Sequence, residues 1–212
     1  MIDVAIIDYK MGNLFSIKAA CEEVGLNAKI TSNEKDILNS KIAILPGVGA
    51  FGEAISHINK LNLDKSIKKY IDTGKPFIGI CLGMQLLLEE SDEFGMHKGL
   101  GILKGIVKKF DFINDRRGKY PVPQIGWNKI FKAQSTWDNT LLKNSNDGDF
   151  MYFVHSHYII LDDPDISIAN TTYGTVNYCS ALKYKNIYAF QFHPEKSANN
   201  GLQIYSCMKE II

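Results

Sequence analysis

The chain has 212 residues, a formal net charge of +1 at pH 7 and 45% hydrophobic residues. A chain of this size can bury a substantial core, and we expect one domain that spans residues 1–212. The balanced charge provides no basic field for nucleic acid, and no run of about 18 apolar residues could cross a membrane. No signal peptide is expected, because no charged segment followed by an apolar one precedes the first strand. The four cysteines are scattered without C-x-x-C spacing, which favours reduced thiols in a cytoplasmic protein over a disulfide or zinc framework.

The first half of the chain alternates short apolar runs with segments of helical periodicity. This pattern predicts strands over 4–8, 42–45 and 77–80, and helices over 14–24 and 54–71, the second with a break at 61–64. Strands that alternate with helices are typical of a parallel, doubly wound α/β sheet.

From residue 106 onward the apolar runs become shorter and alternate with polar residues, which is typical of antiparallel strands. The predicted strands cover 106–110, 128–131, 152–154, 158–161, 178–184 and 187–192, and a last helix covers 201–211. Two polar stretches, 114–119 and 143–149, are predicted surface loops. We therefore expect a central, mostly parallel sheet flanked by helices, with additional antiparallel strands in the second half.

A glycine-rich loop at 47–52 reads Gly-Val-Gly-Ala-Phe-Gly and matches the dinucleotide-binding pattern G-x-G-x-x-G. Three features argue against a nucleotide site. Pro46 precedes the first glycine, the loop follows a later strand rather than the first, and no acidic residue ends a strand about 20 residues further on. Asp64 and Asp72 lie in helical sequence instead, so the dinucleotide hypothesis is the weaker interpretation of this loop.

Residues 79–83 read Gly-Ile-Cys-Leu-Gly and lie between the apolar strand and an amphipathic segment, 84–90. This is the spacing of a nucleophile elbow, a sharp strand-to-helix turn whose small flanking residues let neighbouring backbone approach closely. Cys81 stands at the nucleophile position, where a helix dipole and unpaired N–H groups favour the thiolate. An isolated cysteine in an apolar run is usually a core residue, but the flanking glycines favour the catalytic interpretation.

A cysteine nucleophile needs a base, and residues 191–197, which read Gln-Phe-His-Pro-Glu-Lys-Ser, provide one. His193 can accept the thiol proton and later protonate a leaving amine, while Glu195 can hold the imidazolium. Pro194 favours an extended backbone, in which residues two apart point the same way, so we expect His193 and Glu195 to meet. A surface His-Pro turn without a catalytic role is the alternative interpretation.

The motif around Cys81 and the late Gln-Phe-His-Pro-Glu segment together resemble the class I, triad-type glutamine amidotransferases. Four further blocks make the chain similar, more narrowly, to the glutaminase subunits of imidazole glycerol phosphate synthase. They are Ile-Asp-Tyr-Lys-Met-Gly-Asn-Leu at 7–14, Leu-Pro-Gly-Val-Gly-Ala-Phe-Gly at 45–52, Ile-Gly-Trp-Asn at 125–128 and Tyr-Phe-Val-His-Ser at 152–156. The resemblance extends from residue 8 to residue 201 and implies the single-domain α/β fold of the class I amidotransferases.

The resemblance implies that the chain hydrolyses the side-chain amide of glutamine with a triad of Cys81, His193 and Glu195. Cys81 would attack the carboxamide carbon, His193 would protonate departing ammonia, and water would then release glutamate from the thioester. No cofactor is expected for this chemistry. His155 and His157 are spaced as on one strand, but no third ligand accompanies them, so no metal site is expected.

The remaining site residues implied by the resemblance hold the substrate. The backbone N–H of Val48 or Gly49 is expected to join that of Leu82 in binding the oxyanion of the tetrahedral intermediate. The amino and carboxylate ends of glutamine are expected to be bound by Gln85 and by the backbone around Ser156 and His157. An exposed polar position on the helix after the elbow is the alternative interpretation of Gln85.

Released ammonia is useful only if it reaches an acceptor, and the chain has no recognisable second domain for one. The resemblance implies a heterodimer with a (β/α)8-barrel cyclase subunit, which receives ammonia through its core in histidine biosynthesis. Asn13, Trp127 and Lys196 match family positions at or near that interface, and Lys10 and Gln124 lie beside them. Trp127 alone could equally belong to the core.

Three residues depart from the usual pattern of the family. Lys10 stands where glycine is common, Gln124 where a Pro-His pair precedes Gly-Trp-Asn, and His157 where tyrosine is usual. Because none of the three belongs to the triad, they affect the identity of the partner and the pathway more than the chemistry.

Three alternative functions stay open: a paralogous glutaminase that supplies ammonia for amidating a bacterial surface sugar, an inactive interaction subunit, and a stand-alone cysteine hydrolase of a γ-glutamyl compound. The last would leave the blocks at 8–13 and 126–128 unexplained.

Overall fold

The structure is a computed structural model that describes residues 2–112, 120–133 and 136–212. Within these residues the strands are, in chain order, β1 (Val4–Ile7), β2 (Ala28–Thr31), β3 (Ile42–Leu45), β4 (Phe77–Ile80), β5 (Glu90–Ser91), β6 (His97–Lys98), β7 (Gly105–Lys109), β8 (Gln124–Lys129), β9 (Phe131–Lys132), β10 (Phe150–His155), β11 (His157–Leu161), β12 (Ser167–Tyr173), β13 (Val176–Tyr184) and β14 (Ile187–Phe190). The α-helices are α1 (Leu14–Glu23), α2 (Glu34–Asn39), α3 (Phe51–Lys60), α4 (Leu63–Asp72), α5 (Leu82–Gln85) and α6 (Ala198–Met208). Short 3-10 helices cover Pro164–Ile166, Pro194–Lys196 and Lys209–Ile211.

An eight-stranded sheet forms the centre of the fold, in the order β2-β1-β3-β4-β14-β13-β12-β9. The pairs from β2 to β14 are parallel, and the pairs from β14 to β9 are antiparallel. Because all parallel strands end at one edge, β4 and β14 bring the chain segments that follow Ile80 and Phe190 close together. The prediction of a mostly parallel sheet with antiparallel additions is confirmed.

Helices cover both faces of this sheet, as buried parallel strands require. Along β1, Val4 and Ile6 face one core cluster, while Ala5 and Ile7 face the other. The buried residues of α1 and α6 pack in the first cluster, and those of α3 and α4 pack in the second. No helix in the described ranges combines the length and the apolar character needed to span a bilayer.

Two smaller sheets flank the central one and frame the edge at which β4 ends. The strands β10 and β8 pair antiparallel, and a second sheet has the order β11-β7-β5-β6. β10 ends at His155 and β11 begins at His157, so the chain crosses from one small sheet to the other at Ser156.

Most of the predicted elements are present, but β2, α2 and β12 were not predicted from the sequence. The break predicted at 61–64 is confirmed, since Asn62 adopts a left-handed conformation with φ of 55° between α3 and α4. The amphipathic segment 84–90 was expected to continue the elbow as a helix, but α5 ends at Gln85 and β5 begins at Glu90. The loop predicted at 114–119 lies outside the described residues, whereas 143–149 forms surface turns as expected.

Candidate active site

The elbow after β4 holds Cys81 in a conformation that residues with a Cβ rarely adopt. Its φ is 54° and its ψ is −112°. The backbone N–H of Cys81 donates to the Phe190 carbonyl of β14 at 2.7 Å, which ties the turn to the neighbouring strand. A strained turn that is fixed by its surroundings in this way projects the side chain out of the sheet edge.

The two flanking glycines are required by close backbone contacts. A Cβ on Gly83 would lie 1.9 Å from the carbonyl oxygen of Leu45 in β3, and one on Gly79 would lie 3.0 Å from the Gly83 carbonyl oxygen. The turn therefore packs directly against the backbone of β3, as the elbow spacing predicted.

Replacing Gly83 by alanine is expected to lower the free energy of unfolding by roughly 3 kcal/mol, because the methyl group displaces backbone rather than a flexible side chain. Gly74→Ala is a suitable control, since φ is 76° there but nothing lies within 4 Å of the added Cβ. That variant should lose only about 1 to 2 kcal/mol from its left-handed conformation. Urea unfolding midpoints measure both, and equal losses would contradict the close approach at Gly83.

His193 and Glu195 meet at the end of β14, although not through the geometry that the sequence predicted. His193 Nδ1–H donates to Glu195 Oε1 at 2.8 Å. The backbone at His193 is extended, but Pro194–Lys196 forms a 3-10 turn, so the expectation of an extended 193–195 segment is wrong. Asn13 Nδ2 also donates to Glu195 Oε1, at 3.2 Å, and so fixes the carboxylate from the start of α1.

The other ring nitrogen of His193 is available for chemistry. His193 Nε2 is buried and has no hydrogen-bond partner among the described residues, and His193 and Cys81 line the same cavity. Burial alone lowers the pKa of His193, but negative charge on Cys81 and the Glu195 carboxylate outweigh it and raise the pKa to about 10. The imidazole can therefore keep its proton at neutral pH.

The cavity at the elbow has a volume of about 270 Å³, and most of the predicted substrate-binding residues line it. Among its lining residues are the predicted Val48, Gly49, Leu82, Ser156 and His157, together with Cys81 and His193. The glycine-rich loop thus faces Cys81, and its Gly49 has a φ of 94°. The loop forms one wall of a site for a small molecule that reacts with the thiol.

Gln85 neither lines the cavity nor lies exposed on the helix, the two positions that the sequence suggested for it. Its side chain is only 5% exposed, so an exposed helix position is wrong. Nε2 of Gln85 donates to the carbonyl of His157 and to Gln191 Oε1, both at 2.9 Å. Gln85 does not line the cavity, and its hydrogen bond holds the backbone of His157, which does. A direct contact between Gln85 and the substrate stays a prediction.

Glu93 is a lining residue that the sequence reasoning missed. Its Oε2 accepts the N–H of Phe51 at the start of α3 at 2.7 Å, and its Oε1 lies 3.4 Å from His157 Nδ1. Glu93 lies between β5 and β6 in a segment for which the sequence predicted no element, so no periodicity placed it near Cys81. The sequence spacing contained no signal for it.

His155 and His157 have separate environments, and neither acts as part of a histidine pair. His155 Nδ1–H donates to the His157 carbonyl at 2.7 Å, and its Nε2 lies 3.2 Å from the Tyr178 hydroxyl. Burial lowers the pKa of His155 to about 4, so this ring is neutral. Within the described ranges no group of three or more His, Cys, Asp and Glu side chains is arranged to hold a metal.

The five residues predicted for the partner interface do not all lie on the surface. Lys10 and Lys196 are exposed, Trp127 is 51% exposed rather than part of the core, and Asn13 is partly buried. Gln124 is only 3% exposed, because its Oε1 lies 3.0 Å from the Tyr178 hydroxyl, so its placement on an exposed polar face is wrong.

Comparison with known proteins agrees with this arrangement. The family model for glutamine amidotransferase class-I matches residues 5–205. The chain belongs to the class-I glutamine amidotransferase family. A relative from Aquifex aeolicus described as imidazole glycerol phosphate synthase subunit HisH is 43% identical over 206 residues, 96% of this chain and 94% of the relative. The protein with the same description from Caldanaerobacter subterraneus subsp. tengcongensis is 44% identical over 209 residues, 99% of this chain and 98% of the relative.

Solved structures with low sequence identity share the fold of this amidotransferase. PurLQS from Thermotoga maritima superimposes with a TM-score of 0.72 at 16% identity, over 98% of this chain and 97% of that chain. The glutaminase domain of Trypanosoma brucei CTPS with bound acivicin gives a TM-score of 0.65 at 13% identity, over 100% of this chain and 95% of that chain. At these identities the likeness concerns the fold alone, and it confirms the predicted fold class.

Proposed function

We propose that this amidotransferase is the glutaminase subunit of imidazole glycerol phosphate synthase and supplies ammonia for histidine biosynthesis in the cytoplasm. One observation carries the proposal: relatives described as that subunit are more than 40% identical to this chain over nearly their whole length. The relatives share this description rather than one of surface-sugar amidation, so that alternative is disfavoured. A cavity lined by Cys81 and by His193, whose Nδ1–H donates to Glu195, disfavours an inactive interaction subunit.

Cys81 and His193 perform the acyl transfer in this proposal. The Cys81 thiolate attacks the carboxamide carbon, and the His193 imidazolium gives its Nε2 proton to the departing ammonia. Neutral His193 then accepts a proton from the water that releases glutamate from the thioester. Glu195 keeps Nδ1 protonated throughout, so that Nε2 is the nitrogen that exchanges protons.

The cavity walls supply the remaining contacts. A backbone N–H of Val48 or Gly49 and that of Leu82 stabilise the oxyanion, since all three residues line the cavity beside the thiol. The backbone of Ser156 and His157 binds the carboxylate of glutamine. Glu93 binds its ammonium group, because it is the carboxylate that lines this cavity beside those residues.

The partner in this proposal is a (β/α)8-barrel cyclase subunit that docks over the exposed side of the site and receives the ammonia. Trp127 and its neighbour Ile125 are exposed apolar residues on β8, and Trp127 packs edge-on against Tyr152 in β10. The carbonyl of Tyr152 accepts the N–H of His193 at 2.9 Å. A partner bound at Trp127 would therefore lie beside β10, the strand whose Tyr152 carbonyl holds the catalytic histidine.

The isolated chain is expected to be nearly inactive, and the cyclase partner with its acceptor substrate is expected to activate it. The 47–52 loop would hold its N–H groups away from the oxyanion until contacts that differ between the two states shift it. Steady-state glutaminase activity should be compared for the chain alone, with the cyclase, and with the cyclase and its substrate. Full activity of the isolated chain would contradict this gating.

The same mixtures test the proposed function itself. A complex with the cyclase that forms imidazole glycerol phosphate from glutamine would support it, and Trp127→Ala should weaken that complex. Lys98→Ala is a matched control, because Lys98 is exposed on β6 and outside the predicted interface. Failure of the cyclase to bind or to be supplied with ammonia would refute the pathway, even if glutamine is hydrolysed.

A further inference from the structure

Glu93 and His157 face each other inside the glutamine cavity. Glu93 Oε1 lies 3.4 Å from His157 Nδ1, and the two side chains are only 13% and 9% exposed. The other carboxylate oxygen, Oε2, is committed to the N–H of Phe51 at 2.7 Å. Within the described part of the chain Oε1 accepts no such bond, and it is the oxygen beside which His157 lies.

The backbone of His157 is held by contacts from three elements. The carbonyl of His157 accepts hydrogen bonds from Gln85 Nε2 at 2.9 Å and from His155 Nδ1–H at 2.7 Å. In register, His157 pairs with Lys109 of β7. These contacts fix the backbone from which the ring lines the cavity beside Glu93.

The groups around His157 set its charge. Burial is the largest influence and lowers the pKa of His157, the charges of Glu93 and Asp92 oppose this, and Lys109 adds to the lowering. Asp92 is itself paired with Lys108 at 2.8 Å, and His155 behind the ring is neutral. Cys81 and His193 lie across the cavity. The imidazole is therefore neutral at neutral pH and gains its proton under acidic conditions.

We propose that His157 sets the glutamine affinity of this site, because its protonated ring competes with the ammonium group of the substrate for Glu93 Oε1. The inference rests on the proposed function, in which Glu93 binds that ammonium group. Two cations that face one carboxylate oxygen repel each other in a buried site, so the charged ring and the substrate exclude one another. Glutamine consequently binds to the form of the enzyme in which His157 is neutral.

The sign of the pH dependence follows from this competition. Affinity is greatest above the pKa of His157 and falls as the pH drops through it, at most about tenfold per pH unit for one proton. By linkage, glutamine binding in the acidic range must release a proton. Protonation of His157 should raise KM and leave kcat unchanged, because His157 does not exchange protons with the reacting amide.

Binding can be separated from turnover in the Cys81→Ser variant, by calorimetric titration with L-glutamine between about pH 5 and pH 8. We expect the dissociation constant to rise several-fold or more toward the acidic end, and adding His157→Asn should remove most of this rise. His97→Asn is the matched control, since His97 lies on β6 of the same hairpin but does not line the cavity. It should leave the pH dependence unchanged.

Proton release provides a second measurement that needs no change at His157. Titrations in buffers of different ionisation enthalpy should report protons released on glutamine binding at acidic pH. Proton uptake, tighter binding at acidic pH, or an unchanged pH dependence in the His157→Asn variant would overturn the inference. If Cys81→Ser protein binds no glutamine even at about pH 8, the proposed function fails instead, so the two failures are distinguishable.

Discussion

Replacement of Cys81 by serine is expected to reduce glutamine hydrolysis by about 10⁴-fold or more, because no thioester can then form. The hydroxyl of serine is far less acidic than a thiol, so a neighbouring imidazolium cannot keep it ionised. The fold should be unaffected, since serine fits the same strained elbow and the backbone bond to Phe190 is retained. Glutaminase activity of the complex with its cyclase, alongside circular dichroism and complex formation, measures both parts of this expectation.

An electrophilic glutamine analogue provides the matching positive result. It should label Cys81 alone, because all four cysteines are buried and only Cys81 lines the cavity among the described residues. Burial raises the pKa of Cys21 and of Cys179 to about 12, so neither thiol ionises at neutral pH. Cys21→Ser is the control and should retain both activity and labelling. Labelling mainly at Cys21, Cys179 or Cys207 would remove Cys81 from the role of nucleophile.

The elbow and the histidine segment could be predicted from the sequence because each depends on local requirements. Position 83 requires glycine, because the backbone of β3 lies within 2 Å of where a Cβ would be. This requirement is visible in the sequence as the glycine itself. The apolar strands β3 and β4 are buried on both faces, which gives continuous hydrophobic runs with the predicted bounds. The local geometry of such motifs determines which residue types they contain, so a single sequence is enough to find them.

Other parts of the site depend on long-range packing that no local pattern encodes. Glu93 reaches the cavity only because its hairpin is held by the start of α3, 42 residues earlier in the chain. Gln124 is buried by a contact to Tyr178, 54 residues later, which its polar side chain gave no reason to expect. The segment 84–90 has helical periodicity, yet α5 stops after one turn, because Glu89 and Gly105 are drawn into backbone pairing.

The shortness of α5 also changes the argument for the reactivity of Cys81. The sequence suggested that a helix dipole would favour the thiolate, but a helix of four residues provides only a weak dipole. His193 can take over that role, because its imidazolium lines the same buried cavity. Catalysis by Cys81 should therefore depend more strongly on His193 than the motif alone indicates.

Replacement of His193 by alanine is accordingly expected to lower kcat by roughly a hundred- to ten-thousand-fold. Both the charge that stabilises the thiolate and the proton for the departing ammonia are lost together. His97→Ala is a suitable control, as this histidine lies on β6 and does not line the cavity. Wild-type rates in the His193→Ala variant would show that the base lies elsewhere, with His155 the next candidate despite its pKa of about 4.

Glu195→Gln should cost less activity than His193→Ala, and it should do so in a pH-dependent way. The Glu195 carboxylate is one of the groups that raise the pKa of His193 to about 10. Without it the imidazolium loses its proton at lower pH, so the alkaline limb of the kcat profile should move toward neutrality. Asn13 would keep a contact with the new amide, which limits the loss of orientation. An alkaline limb at the same pH in Glu195→Gln and in the unaltered enzyme would show that this limb does not report the ionisation of His193.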